Sequence, residues 1–180
     1  MSEPDIFFTR FRSAPWSDPC FISFGRLLAL SQRVESGCRS LALHIKMRLD
    51  PSPLESEEGL REFCDAVWKQ KLHQHVAYLA SLYGSEFQLC EILNAARIAR
   101  NEVAHDVTLG FEHWAYDESL MSRESEGIRE LATILARADH LLCTIGSVLS
   151  KEPLLRGEVN RSYQDRLVAW VCDTDNGESW

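Results

Sequence analysis

The chain lacks the short elements that most often announce a chemistry. Its six cysteines, Cys20, Cys38, Cys64, Cys90, Cys143 and Cys172, are scattered, with no Cys-x-x-Cys pair and no accompanying histidine pattern. That spacing argues against a zinc site or a dithiol redox centre. There is no Gly-rich phosphate loop and no Gly-x-Ser-x-Gly element, which removes the common routes to nucleotide hydrolysis and serine esterase chemistry. Positive charge is scarce: 19 Lys and Arg stand against 27 Asp and Glu, a formal charge of -8. A large nonspecific nucleic-acid surface is normally basic, so only a small local basic site is compatible with this balance. The N-terminal stretch has no basic run followed by an apolar one, and no segment reads as long enough to span a membrane. With thiols that suit a reducing compartment, the expectation is a cytoplasmic protein with no membrane partner. No repeat, low-complexity tract or linker divides residues 1–180, so one domain is expected.

What is present is helical periodicity. Residues 1 to about 18 read as irregular, punctuated by Pro4, Pro15 and Pro19, with Phe7, Phe8, Phe11 and Trp16 available to lie on the body. From Phe21 to Leu49, the positions Leu27, Leu28, Leu30, Val34, Cys38, Leu41 and Ile45 recur mostly at three- and four-residue steps, until Pro51 ends the helix. A second helix is expected from Ser56 to Gly84, with Glu57 and Glu58 at its start. A third begins at Ser85, with Gln88 as a capping-box partner, and closes shortly after His105. It turns Leu89, Ile92, Leu93, Ala96, Ala99 and Val103 inward. Residues 106–117, with Gly110, Phe111, Trp114 and Tyr116, read as a connection. The fourth helix runs from Asp117 to Ser150 on a seam of Ile128, Leu131, Ile134, Leu135, Ala138, Leu142, Ile145 and Leu149. Residues 166–172 read as a short strand in preference to a fifth helix. The expected fold is therefore all-α: an antiparallel four-helix bundle over residues 20–150, with an irregular N-terminal segment and a short C-terminal extension.

One hexad stands apart, Arg100-Asn101-Glu102-Val103-Ala104-His105. Arginine grips phosphate through a planar fork and keeps its charge, and histidine exchanges a proton near neutral pH. Arg100 projects at the edge of the third helix's apolar stripe, where a purely structural sequence would place a small or apolar residue. A guanidinium there must pair with an acid inside the bundle or reach a cleft or subunit boundary. His105 lies five residues on, roughly 140° further round an ideal helix, so the two side chains do not share a face. Asn94, Arg97, Asn101 and His105 form a polar stripe beside it, and a plain solvated face is the common explanation of such a stripe.

Ala99-Arg100-Asn101-Glu102-Val103-Ala104-His105 resembles the Arg-polar-spacer-His signature of HEPN domains, and the helical pattern over residues 20–150 is similar to that superfamily's. The resemblance implies a homodimer whose motif helices meet at a composite, metal-independent site that cleaves RNA and needs no cofactor. On that basis His105 serves in proton transfer, Arg100 binds the scissile phosphate, and Asn101 orients motif or substrate. The products would be 2′,3′-cyclic phosphate and 5′-hydroxyl ends. Arg97 is a candidate second phosphate contact, and Trp114 a candidate base-stacking platform. A toxin or antiviral-defence role, with an antitoxin or regulatory partner, follows from the same likeness. The chain departs from the HEPN toxins paired with nucleotidyltransferases, which often carry Tyr two residues after the histidine; here Asp106 and Val107 follow. Two alternatives stay open: a noncatalytic HEPN-fold binding or regulatory protein, and a nucleotide-binding module serving a separate transferase. His73-Gln74-His75 places two histidines on different sides of a helix, which reads as surface histidines rather than a metal pair. His140, beside the fourth-helix seam, reads as structural.

Overall fold

Asp50-Pro51 stops the first long helix as the sequence demands, and the Asp50 carboxylate then accepts the Ser52 N–H and hydroxyl to fix the turn. The computed structural model describes residues 17–83, 88–114 and 118–173, and in the last two segments it leaves the side chains of residues 106–124 aside. Six α-helices follow in order: α1 (Ser17–Leu49), α2 (Glu57–Trp68), α3 (Leu72–Tyr83), α4 (Gln88–Trp114), α5 (Glu118–Ser150) and α6 (Gly157–Cys172), with a 3-10 turn at Ser52–Glu55. Among the described residues there is no strand, so the all-α expectation holds.

The first helix starts at Ser17 rather than Phe21, and three further elements differ from the sequence reading in extent or type. The expected helix over residues 56–84 starts as foreseen, with the Ser56 hydroxyl accepting from the Gly59 N–H. It then breaks at Lys69–Lys71 into α2 and α3. The Lys69 N–H closes α2 by donating to the Asp65 carbonyl and the Gln70 N–H to that of Val67, and the Lys71 carbonyl opens α3 by accepting from Gln74 and His75. Neither residue carries a proline or glycine signal, so the break was hidden under a continuous apolar period. The motif helix does not close after His105; α4 runs on to Trp114, which places most of the expected 106–117 connection inside a helix. Residues 166–172 belong to α6 rather than to a strand. With no neighbouring strand among the described residues, a lone extended segment would leave backbone groups unpaired, whereas a helix satisfies its own. Phe7, Phe8, Phe11, Trp16, Ser85 and Tyr116 lie outside the described residues, as does the side chain of Trp114.

Side-chain pairs give the directions. Arg33 meets Asp139, Gly37 faces Leu142 and Arg48 meets the Leu149 carbonyl, so α1 and α5 run parallel. Arg26 meets Trp170 and Arg33 meets Tyr163, so α6 returns antiparallel to α1. This parallel central pair departs from a simple antiparallel four-helix bundle, and the extra reversal at Lys69–Lys71 is the physical reason.

The core is the meeting of α1, α3, α4 and α5: Leu27, Leu30, Val34, Leu79, Leu89, Leu93, Val103 and Leu135 are all but fully buried. Each such side chain contributes about 1.5–3 kcal/mol over its exposed state. Leu28 and Ile134, expected on the seam, are exposed instead, and Ser31 and Ala132 take buried positions nearby. Cys38 is packed as a small hydrophobe, and burial with the nearby Glu35 charge pushes its thiol up to about 12. One correction concerns length and hydropathy: Ser125–Ser150 is long and apolar enough to cross a membrane. In this fold those apolar residues are the central helix, packed on α1, α4 and α6.

Candidate functional site

Arg100 sits between the last core positions of α4, Ala99 and Val103, and so must leave the helix at the core's edge. It resolves the cost of that position with an acid from α1. Its Nε and Nη2 donate to Glu35 Oε2 at 2.8 and 2.7 Å, and the pair is mostly buried. The other Glu35 oxygen accepts from Arg39 Nη2 at 3.1 Å, one helical turn along α1. Arg39 in turn lies over the Trp68 ring, 4.6 Å from its centre. One carboxylate therefore serves two guanidinium groups, which leaves local positive charge in excess. Arg100 Nη1 also approaches Asn101 Oδ1 at 3.4 Å.

Above this network opens a cleft of about 330 Å³ walled by Glu35 of α1, Lys71, Leu72 and His73 at the start of α3, and Arg97, Arg100 and Asn101 of α4. Arg97 is held by two hydrogen bonds to Asn94 Oδ1 at 3.1 and 3.0 Å. Those bonds are to a neutral amide, so they position the guanidinium without cancelling its charge. Among the described residues no carboxylate pairs with Arg97 or Lys71. Three cations thus face one shared acid, in a chain whose total charge is -8.

The structure brings together three of the five residues singled out in the sequence: Arg97, Arg100 and Asn101. His105 is exposed on α4 and is not among the cleft walls, in keeping with its turn away from Arg100. Trp114 ends α4, nine residues beyond His105. Glu35, Lys71 and Leu72 are wall residues that the sequence alone did not single out, and His73 was read only as a surface histidine. Glu35 lies 65 positions from Arg100, and nothing local links them.

The two histidines of the His73-Gln74-His75 run part as helical geometry requires, but not both to the surface. His73 is exposed at the cleft; His75 is wholly buried on the stripe of Leu72, Val76 and Leu79. Neither ring nitrogen of His75 makes a hydrogen bond of ordinary geometry, and Arg39 Nε is likewise buried without one. Burial first, then the Arg39 and Lys46 charges, hold His75 below its ordinary 6.5, against a weaker pull from the Gln70 backbone and Glu35.

A second polar cluster joins α1, α5 and α6. Buried Asp139 accepts from the Tyr163 hydroxyl at 2.6 Å and from Arg33 Nε at 2.7 Å. Burial, then the Asp139 hydrogen bond, drives the Tyr163 phenol far up, and the same carboxylate raises Arg33. Next to it His140 engages Asn160 and Gln164 through its two ring nitrogens and stacks on Tyr163. Arg33, Asp139 and Cys143 line a mostly apolar groove with Gly37, Leu142 and Gly146. Asp139, Tyr163 and His140 are each engaged, and Arg33 is bonded through Nε and Nη2 while its side chain stays largely exposed. Among the described residues no group of three or more His, Cys, Asp or Glu is placed to hold a metal ion.

Comparison with protein-family models, with curated proteins and with solved structures finds no match. The functional reading therefore rests on the site.

Proposed function

We propose that this chain is a metal-independent endoribonuclease of HEPN type, acting in the cytoplasm as a homodimer, in a toxin or antiviral-defence setting with an antitoxin or regulatory partner. One observation carries the reading: Arg100, Asn101 and Arg97 line a single cleft that is rich in cations on an otherwise acidic protein. On this reading α1, α3, α4 and α5 correspond to the HEPN four-helix bundle, with α2 inserted and α6 added. Arg100 takes the scissile phosphate and stabilises the charge that develops on it; Arg97 holds a neighbouring phosphate, and Asn101 donates a hydrogen bond. His105 lies outside the cleft of its own chain, so it serves a cleft shared with a second copy. Cleavage by attack of the ribose 2′-hydroxyl leaves a 2′,3′-cyclic phosphate.

The test is incubation of the purified protein with RNA pools in excess EDTA, with Arg100→Ala and His105→Ala alongside. Cyclic-phosphate ends that vanish in both variants support the proposal, and a folded dimer that cleaves nothing overturns it. A second reading has its own support. The Arg100 fork is already occupied by Glu35, which suits a noncatalytic binding or regulatory protein in which the pair is a brace. In that case both alanine variants keep function, and changes to the surface that contacts the partner remove it.

A further inference from the structure

Cleavage of RNA by its own 2′-hydroxyl moves two protons. The 2′-oxygen bonds to phosphorus as its proton passes to a base, and the P–O5′ bond breaks as the departing oxygen gains a proton from an acid. No oxidant or further reactant enters, but two proton-handling groups are required, and imidazoles are the usual pair near neutral pH. The Arg100–His105 hexad supplies one. The cleft supplies another: His73 lies at the start of α3 on the wall opposite Arg97, Arg100 and Asn101. It is exposed, unlike His75 two residues on, so it can reach a bound phosphate without disturbing the core. Lys71, beside it on the same wall, adds a cation without an acidic partner among the described residues.

We propose that His73 is the second imidazole of the reaction and that Lys71 is a phosphate ligand, so that each protomer's cleft already joins phosphate binding to one proton-transfer group. This rests on the ribonuclease reading above. It assigns the break at Lys69–Lys71 a purpose: reversing the chain there brings Lys71 and His73 to face α4, which one unbroken helix over residues 56–84 would not do.

The experiment compares wild type with His73→Gln, His105→Gln and Lys71→Ala on a short single-stranded RNA, and on the same strand made of 2′-deoxynucleotides, which binds but cannot react. His73→Gln is expected to lower kcat about 100-fold or more, to leave deoxy-strand binding within about twofold, and to turn a bell-shaped pH profile into a single limb. Lys71→Ala is expected to weaken binding of the deoxy strand and to reduce its salt dependence by about one counterion. If His105→Gln abolishes cleavage while His73→Gln keeps the wild-type rate and profile, the assignment of His73 is overturned and the ribonuclease reading stands. If wild type itself cleaves nothing, both fall.

Discussion

The two polar clusters of this molecule are built from similar groups and differ in what they leave over. Around Asp139, one buried carboxylate meets one phenol and one guanidinium, and the adjacent imidazole has both nitrogens engaged. Around Arg100, one carboxylate is divided between two guanidinium groups while Arg97 and Lys71 face open space without an acid among the described residues. The first cluster ties α1, α5 and α6 together and pairs its one acid with one base. The second has charge to spend on a ligand. In an all-helical protein, saturation of the donors and acceptors separates a brace from a site better than the mere presence of titratable residues does.

The largest effect that would break this comparison concerns Arg100. On the proposed function, Arg100→Ala removes the donor fork on the reacting phosphate and is expected to lower the cleavage rate about 10²–10³-fold. Its effect on stability should be small by comparison, about 1–2 kcal/mol in urea unfolding, because Arg39 stays on the other Glu35 oxygen. A loss of several kcal/mol with unchanged activity would make the Arg100 cluster a brace like the other.

Asp139→Ala is the converse. It strands the Tyr163 hydroxyl and the Arg33 guanidinium, of which the arginine is largely exposed and can turn to water. The expected cost is about 2–4 kcal/mol by urea unfolding, with deoxy-strand binding unchanged in the fraction that remains folded. Weakened binding at full foldedness would join the two regions and undo the distinction.

The sequence made some of this legible and hid the rest for identifiable reasons. Local signals sufficed for α1 and α5, where apolar residues recur over about five to six turns and Pro51 marks a stop. The hexad was visible because Arg100 interrupts an apolar stripe. Its partner was not, because Glu35 lies on another helix and the pairing exists only once α1 and α4 pack. The same applies to His73: the period through Val67, Trp68 and Leu72 gives no hint that the chain reverses between them. Asp139 did leave a trace, an acid between Leu135 and Leu142 on the seam of α5, where an unpaired carboxylate would be intolerable. The strand expected at 166–172 failed because its apolar run is short, and short apolar runs do not distinguish strand from helix.

His75 lies beneath the open cluster and gives the next effect in size. It is buried with no hydrogen-bond partner of ordinary geometry, beside Arg39 and Lys46, so its protonation is disfavoured in the folded state relative to 6.5 in the unfolded chain. A base whose folded pKa is lowered contributes its full stability above 6.5 and loses it as pH falls toward the folded value, because the unfolded chain then binds the extra proton. Stability measured by urea midpoint should therefore decline from pH 7 to pH 5. His75→Leu, which removes two unsatisfied buried nitrogens at similar volume, should flatten that decline and raise stability at pH 7 by about 1 kcal/mol. An unchanged slope in His75→Leu would show that another group sets the acid limit.

Asn94→Ala probes the smallest contribution, the tether on Arg97. Two N–H groups of that guanidinium bond one amide oxygen on an exposed helix face. Such a surface contact is worth about 0.2–0.5 kcal/mol to the fold, so the urea midpoint should barely move. Its value to binding is larger in kind if the cleft is a phosphate site, since a freed arginine must be reordered when the ligand arrives, at about 0.5–1.5 kcal/mol. Deoxy-strand binding should thus weaken about two- to tenfold in Asn94→Ala with the salt dependence retained, because the charge is still there. Arg97→Ala should weaken binding and also lower the salt dependence by about one counterion. If the two variants behave alike, or neither changes binding, Arg97 is ordinary surface charge and the cleft loses one of the cations that set it apart from the Asp139 cluster.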